Sequence, residues 1–265
     1  MLIPKLKPAK KLALLLLATC SVISFSARAD VKTPGVEFPL IVKNYLLQSF
    51  NEQKQFKQVA ISDTLSNPYF YANCADKKSC IEGIPEKAMI FRVPSGYGSS
   101  SHSEYPRSEL RAIHNFYNGE IFDNEQAGEF SVVQAPQTRS IIFAQIHGDK
   151  PGGSEMLKLR WRDGQIIAAV KQNYGDKEKR VTLLSGIGLK DSVNYKIRTI
   201  GTHQGIKLAL DIEANGKSSH LDYFFPESGW KGIALYFKAG NYNQDAKLDG
   251  SQAIVAYSRL SLSYR

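Results

Sequence analysis

The 265-residue sequence predicts an all-β protein, an antiparallel sandwich of short strands. Three observations carry this. From about residue 88 onward, runs rich in β-branched and aromatic side chains follow one another. Hairpin signals separate them, and no segment has a helical period long enough for a βαβ unit.

The runs are 88–93, 129–134, 140–147, 156–162, 166–172, 180–184, 195–202, 206–213, 220–225, 232–238 and 253–264. Pro151-Gly152-Gly153, Asp163-Gly164, Gln204-Gly205 and Asn215-Gly216 punctuate them. Asp-Gly and Asn-Gly favour the turns whose twist matches that of paired strands. Residues 36–56 read as either strand or short helix. No repeat or low-complexity linker divides 30–265, which is therefore expected to be a single domain.

Residues 1–29 read as an export signal. Lys5, Lys7, Lys10 and Lys11 lead into an apolar run from Leu12 to Leu17 that continues through Val22 and Ile23. Ala27-Arg28-Ala29 then supplies the small-x-small cleavage pattern. The apolar run is too short to span ~30 Å of hydrocarbon, and Thr19 before Cys20 argues against a lipoprotein. These 29 residues hold five of the 34 basic residues and none of the 25 acidic ones. Their removal lowers the formal charge from +9 to +4, with 29 basic residues against 25 acidic. The excess that would suggest nucleic acid belongs mostly to the signal. The expectation is a secreted protein, extracellular or periplasmic, with no nucleic-acid partner and no membrane association after cleavage. Cys74 and Cys80 then read as one small-loop disulfide in an oxidising compartment. A two-Cys metal site would lack a nearby His.

Several motifs carry no chemistry. Gly216-Lys217-Ser218 lacks the earlier Gly of a phosphate loop, because position 211 is Asp. Neither G-x-S-x-G nor H-E-x-x-H occurs. His102 with Glu104 has the spacing of a solvated loop pair. No metal site is expected.

The informative pattern is parity. In the extended segment 105–111, Arg107, Glu109 and Arg111 share a face opposite Ser108 and Leu110. In 143–147, Gln145 and His147 oppose Ala144 and Ile146. In 235–244, Tyr236 and Lys238 oppose Phe237, with Tyr242 and Gln244 continuing past Gly240, where the strand ends or bends. A solvated sheet face is the plain account, but Arg, Glu, Arg, Gln, His, Tyr, Lys, Tyr and Gln are not the usual content of a merely wet sheet. If neighbouring, these strands form a cationic groove with two proton carriers. Arg meets carboxylates bidentately, so a carboxylated polymer fits. A glycosidase fits poorly, since it needs two carboxylates and Glu109, flanked by two Arg, reads as an ion-pair strut. β-Elimination from a uronic acid fits, because it needs a neutralised carboxylate, a base, and an acid at the leaving oxygen.

At this point the chain resembles the polysaccharide lyase family 7 alginate lyases. Arg107-Ser108-Glu109-Leu110-Arg111, Gln145-Ile146-His147 and the run from Tyr236 to Gln244 match that family's three signatures in order. The likeness covers roughly Ala88 to the C-terminus; residues 30–87 are less distinctive. The resemblance implies a β-jelly roll, two curved antiparallel sheets with a cleft on the concave face. It implies an alginate substrate, no cofactor and no metal in the chemistry, in a chain we read as a monomer. By the resemblance Arg107 and Gln145 neutralise the uronate carboxylate, His147 acts as base or assists it, and Tyr242 is the general acid. Syn elimination from mannuronate would use Tyr242 as base and acid; anti elimination from guluronate would use His147 as base. Glu109, Arg111, Lys238 and Gln244 match positions that line or brace the cleft and count as substrate-binding. Isoleucine at Ile146 is associated in the family with guluronate-containing blocks. The competing readings are a lyase on another polyuronate such as glucuronan, and a non-catalytic jelly-roll carbohydrate-binding protein, which would not need His147 and Tyr242.

Overall fold

The period-2 runs become two antiparallel sheets. The computed structural model describes residues 32–76, 79–98, 103–150 and 154–265. Residues 1–29, expected to be an export signal, and His102 lie outside the described residues. The first strands are β1 Tyr45–Phe50, β2 Phe56–Ala60, β3 Phe70–Ala72, β4 Met89–Pro94, β5 Arg107–Ala112, β6 Phe116–Tyr117, β7 Phe122–Gln134 and β8 Ser140–Gly148. They are followed by β9 Glu155–Arg162, β10 Gln165–Val170, β11 Lys179–Ser185, β12 Val193–Thr202, β13 Gly205–Ala214, β14 Lys217–Pro226, β15 Ala234–Asn243 and β16 Gln252–Ser263.

One sheet runs β11-β10-β9-β8-β15-β5-β1-β2, with β6 also paired to β15; the other runs β14-β13-β12-β7-β16-β4-β3. Hairpins join β8 through β11 and β12 through β14. The chain changes sheet at β2–β3, β4–β5, β6–β7, β7–β8, β11–β12, β14–β15 and β15–β16, the interleaved order of a jelly roll. These crossings set β15 between β8 and β5, strands far from it in sequence.

The turns behave as their residues dictate. Asn215 and Gly216 have φ of 52° and 70°, the left-handed pair of a two-residue hairpin, and join Ala214 to its partner Lys217. In Gly216-Lys217-Ser218 the glycine thus closes a tight turn, and Lys217 and Ser218 open β14. The ambiguous stretch 36–56 divides: Pro39 opens a short helix, Pro39–Asn44, and Tyr45–Phe50 is strand. β2 escapes the sequence pattern because it is an edge strand with four of its five residues exposed. β7 begins earlier than its apolar content suggests. Its inward positions Asn124 and Gln126 are polar, and Gln126 is satisfied by Tyr45 and Tyr195 hydroxyls at 3.1 and 3.3 Å.

Between the sheets Phe130 stacks on Phe143 with centroids 3.9 Å apart, and Tyr195 and Tyr257 pack against both. Full burial of each such side chain contributes about 1.5–3 kcal/mol. This core lies against one face of the central strands of the first sheet and leaves their other face free of it.

Candidate active site

β5, β15 and β8 carry the three polar segments side by side. Arg107 pairs with Tyr242, Glu109 with Gly240, and Arg111 with Lys238. On the other flank Lys238 pairs with Gln145 and Tyr236 with His147. Leu110, Ala144, Ile146, Phe237 and Ala239 point into the sandwich. Alternation therefore sends Arg107, Glu109, Arg111, Gln145, His147, Tyr236, Lys238 and Tyr242 to the opposite face.

Most of that face is buried, and Arg107, Arg111 and His147 are partly exposed. Glu109 and Gln145 are 0% exposed, Lys238 1%, Tyr236 7% and Tyr242 8%. At its floor the Glu109 carboxylate accepts from Lys238 Nζ at 2.5 Å and Gln145 Nε2 at 2.6 Å, with Arg107 Nη1 at 3.7 Å. Glu109 is an ion-pair strut. Burial pushes the Lys238 ammonium down to about 8, with the Glu109 charge pulling the other way. A carboxylate only accepts, so Gln145 must turn its NH2 toward Glu109. Its buried Oε1 has no hydrogen-bond partner among the described residues.

His147 Nδ1 lies 2.6 Å from the Gly148 carbonyl and 3.2 Å from Tyr236 Oη. A carbonyl cannot donate, so the proton sits on Nδ1 and Nε2 carries the lone pair. Burial, reinforced by the Lys238 and Arg107 charges, lowers the imidazole pKa to about 4, which keeps it neutral near pH 7.

A bulge aims Tyr242. β15 and β8 are in register to Ala239–Ala144 and resume at Tyr242–Ile142, so Gly240 and Asn241 together oppose Phe143. Gly240 has φ of 142°, and a Cβ there would meet Ser108 O at 2.6 Å, so only glycine fits. The Phe143 carbonyl freed by the irregular ladder accepts from Tyr257 Oη at 2.5 Å. The strand thus bends at Gly240 and continues to Asn243. Tyr242 Oη meets Ser103 Oγ at 2.9 Å, and the Arg107 guanidinium lies 4.0 Å over its ring. Burial raises the phenol pKa, with Arg107 opposing, so Tyr242 stays protonated.

The bracing positions differ in kind. Arg111 stacks 4.0 Å over Tyr236 and donates to Ala112 O and Asn115 Oδ1 at 2.9 and 3.3 Å. Gln244 leaves the end of β15 and bonds the Tyr242 carbonyl at 3.4 Å. Cys74 and Cys80 are bonded, in the β3–β4 connection of the other sheet, away from these strands.

Four contributors had no role in the sequence reading. Ser103 gave no signal. Tyr236 was placed on the face without a role. Glu155 and Lys158 on β9 pair with His147 and Gln145, and the alternation of Lys158 with Leu157 and Leu159 was the available signal. Burial acts to raise Glu155, but Lys158 and Lys171 outweigh it and hold the carboxyl at about 2. A separate hollow of about 670 Å³ on the second sheet, lined by Lys196, Asp211, His220 and Arg259, shares none of these groups.

The arrangement offers a cation beside a neutral base and a protonated phenol on one largely buried face. Those are the requirements for removing a proton next to a carboxylate and protonating a leaving oxygen.

Residues 51–264 match the family described as alginate lyase. No curated protein matches. Among solved structures, alginate lyase A1-II', a member of polysaccharide lyase family 7, is 29% identical with a TM-score of 0.68, covering 88% of this chain and 98% of that one. The alginate lyase of Pseudomonas aeruginosa is 25% identical with a TM-score of 0.66, covering 84% and 99%. That of Klebsiella pneumoniae, at 20% identity and a TM-score of 0.71 over 88% and 99%, shares the fold. Variants of A1-II' have been solved with product (GGG) and, with a His and a Tyr both replaced, with substrate (GGMG).

Proposed function

The chain belongs to the alginate lyase family, and from that premise we propose that Arg107, Gln145, His147 and Tyr242 form its elimination centre on 1,4-linked uronate. The protein is a polysaccharide lyase, and the step to be catalysed is defined by that class. A base takes the proton at C5, the electron pair forms the C4=C5 double bond, and the C4–O glycosidic bond breaks. The departing oxygen takes up a proton. Charge that develops on the carboxylate during C5 deprotonation needs a cation beside it.

Arg107 supplies that cation. Gln145 supports it with the second hydrogen of its NH2, while Glu109 fixes the amide. His147, with Nδ1–H committed to Gly148, takes the C5 proton on Nε2. Tyr242, protonated and set against Arg107, gives its proton to the leaving oxygen. Glu109 and Lys238 brace this centre from its floor, and Arg111 and Gln244 line the cleft around it. The observation that carries the reading is the convergence on one buried face of a neutral His147 and a protonated Tyr242 beside Arg107. The substrate complex of A1-II', obtained with a His and a Tyr replaced, is in keeping with these residue types.

The same protonation states favour anti elimination, since syn elimination would need Tyr242 to begin as phenolate. This supports a leaning to guluronate-containing blocks. Ile146, fully buried between Leu157 and Phe237, acts on that preference only through the position of the sheet. Export is supported by the Cys74–Cys80 bond, and no helix among the described residues is long and apolar enough to cross a membrane. Initial rates on pure guluronate and pure mannuronate blocks, followed by the ultraviolet absorbance of the new double bond, test the reading. Faster guluronate cleavage that His147→Asn removes supports it; unaltered rates in that variant overturn the base assignment.

A further inference from the structure

The cationic face continues beyond β8. On β9, Leu157, Leu159 and Trp161 enter the core while Lys158 and Arg160 lie on the cleft side. The two cations differ. Lys158 is answered by Glu178 and Glu155. Among the described residues Arg160 has no carboxylate within 4.0 Å, and its hydrogen-bond partner is Gln244 Oε1, 3.3 Å from Nη2. Most of its five donors are uncommitted. The side chain is half-buried, and burial bears on its guanidinium as the leading influence, only partly offset by Glu178. A half-buried guanidinium without an anion is unfavourable unless a ligand brings one.

Its position is specific. Arg160 pairs with Ile142, Ile142 with Tyr242, and Tyr242 with Arg107. Four strands thus carry one row across the sheet. With strands ~4.8 Å apart, the Arg160 backbone stands about 10 Å from that of Tyr242 and about 14 Å from that of Arg107. Ile142 between them is apolar and 1% exposed, so no charge of this row intervenes. A polymer with one carboxylate per sugar, lying across the strands with one carboxylate at Arg107, carries another past β9.

We propose that Arg160 is a substrate-binding residue that receives the carboxylate of another uronate of the same chain, further along it than the one being cleaved, on the β9 side of Tyr242. This rests on the elimination centre described above. Gln244 then has a second task, holding the guanidinium toward the cleft from the end of β15. The site selects for chain length: a substrate too short to reach β9 gains nothing from Arg160.

The test compares Arg160→Met, Arg160→Gln and Arg160→Lys with wild type on long alginate and on a size-graded oligouronate series. On long polymer the Met and Gln variants should raise KM about tenfold with kcat within about twofold, the value of a charge-assisted pair used equally in ground and transition states. Lys should recover part of the loss, since it restores charge but not the bidentate fork. The penalty should shrink as the oligomer shortens. Wild-type KM in Arg160→Gln, which keeps a donor for Gln244 but no charge, overturns the proposal. So does a penalty independent of chain length, or one confined to kcat. Tyr242→Phe, run in parallel, tests the elimination centre separately: turnover by that variant removes the centre, whereas the length dependence is read from the Arg160 ratios alone.

Discussion

Lys238 Nζ lies 2.5 Å from Glu109 Oε2 with the two side chains 2% and 0% exposed, so the floor of the cleft is a buried ion pair. Gln145 and Arg107 meet the same carboxylate. One buried anion thus orders three cleft groups, two of them proposed to meet the substrate carboxylate.

Removing one partner of this pair leaves the other charged and unanswered. Lys238→Met should lower unfolding stability by about 3–5 kcal/mol, measured by urea denaturation. Adding Glu109→Gln should restore part of that loss, because the double variant leaves no lone charge. A single variant as stable as wild type would show that the pair holds nothing in place.

Tyr242→Phe keeps ring packing and the Arg107 stack but loses the proton. Its kcat should fall on the order of 10²–10⁴-fold, the usual contribution of a positioned general acid, while oligouronate binding by calorimetry changes little. Ser103→Ala should act in the same direction and less strongly, since Ser103 only orients the hydroxyl.

The pH profile follows from His147. With its pKa at about 4, the imidazole remains a base well below the ordinary 6.5. The acid limb of kcat/KM should therefore lie near 4, and a limb near 6.5 would contradict the burial argument. Stability has the same origin. Between 6.5 and about 4 the unfolded chain binds a proton that native His147 does not. Stability is therefore undiminished above the unfolded value and falls as pH drops through this window, by up to about 3 kcal/mol. Urea midpoints at about pH 7 and about pH 4.5 should differ less in His147→Gln than in wild type.

Reduction of Cys74–Cys80 should lower stability by about 2 kcal/mol, as expected for closing so short a loop. The bond lies on the other sheet, so KM and kcat of the still-folded reduced protein should match those of the oxidised form.

Much of the face was legible because β5, β8 and β15 alternate cleanly. Ser108 and Leu110, Ala144 and Ile146, and Phe237 and Ala239 leave no doubt which residues oppose the core. Their neighbourhood was not legible: it depends on chain crossings between sheets, and no local pattern sets β15 between strands so distant in sequence. The bulge was half visible, since Gly240 marked a bend but not the extra residue opposite Phe143 that realigns Tyr242. Burial was hidden too, because composition alone describes Lys238 and Glu109 as surface residues. Residues 36–56 mix apolar and polar positions without a clean period, so the helix-to-strand change at Tyr45 emerges only from packing.

The most direct measurement follows the ultraviolet absorbance of the unsaturated product when purified mature protein meets alginate, in parallel for wild type and Tyr242→Phe. The account predicts a steady rise for wild type and a trace flat on the same timescale for a folded variant that still binds the polymer. A variant that turns over alginate at a rate comparable to wild type would contradict it.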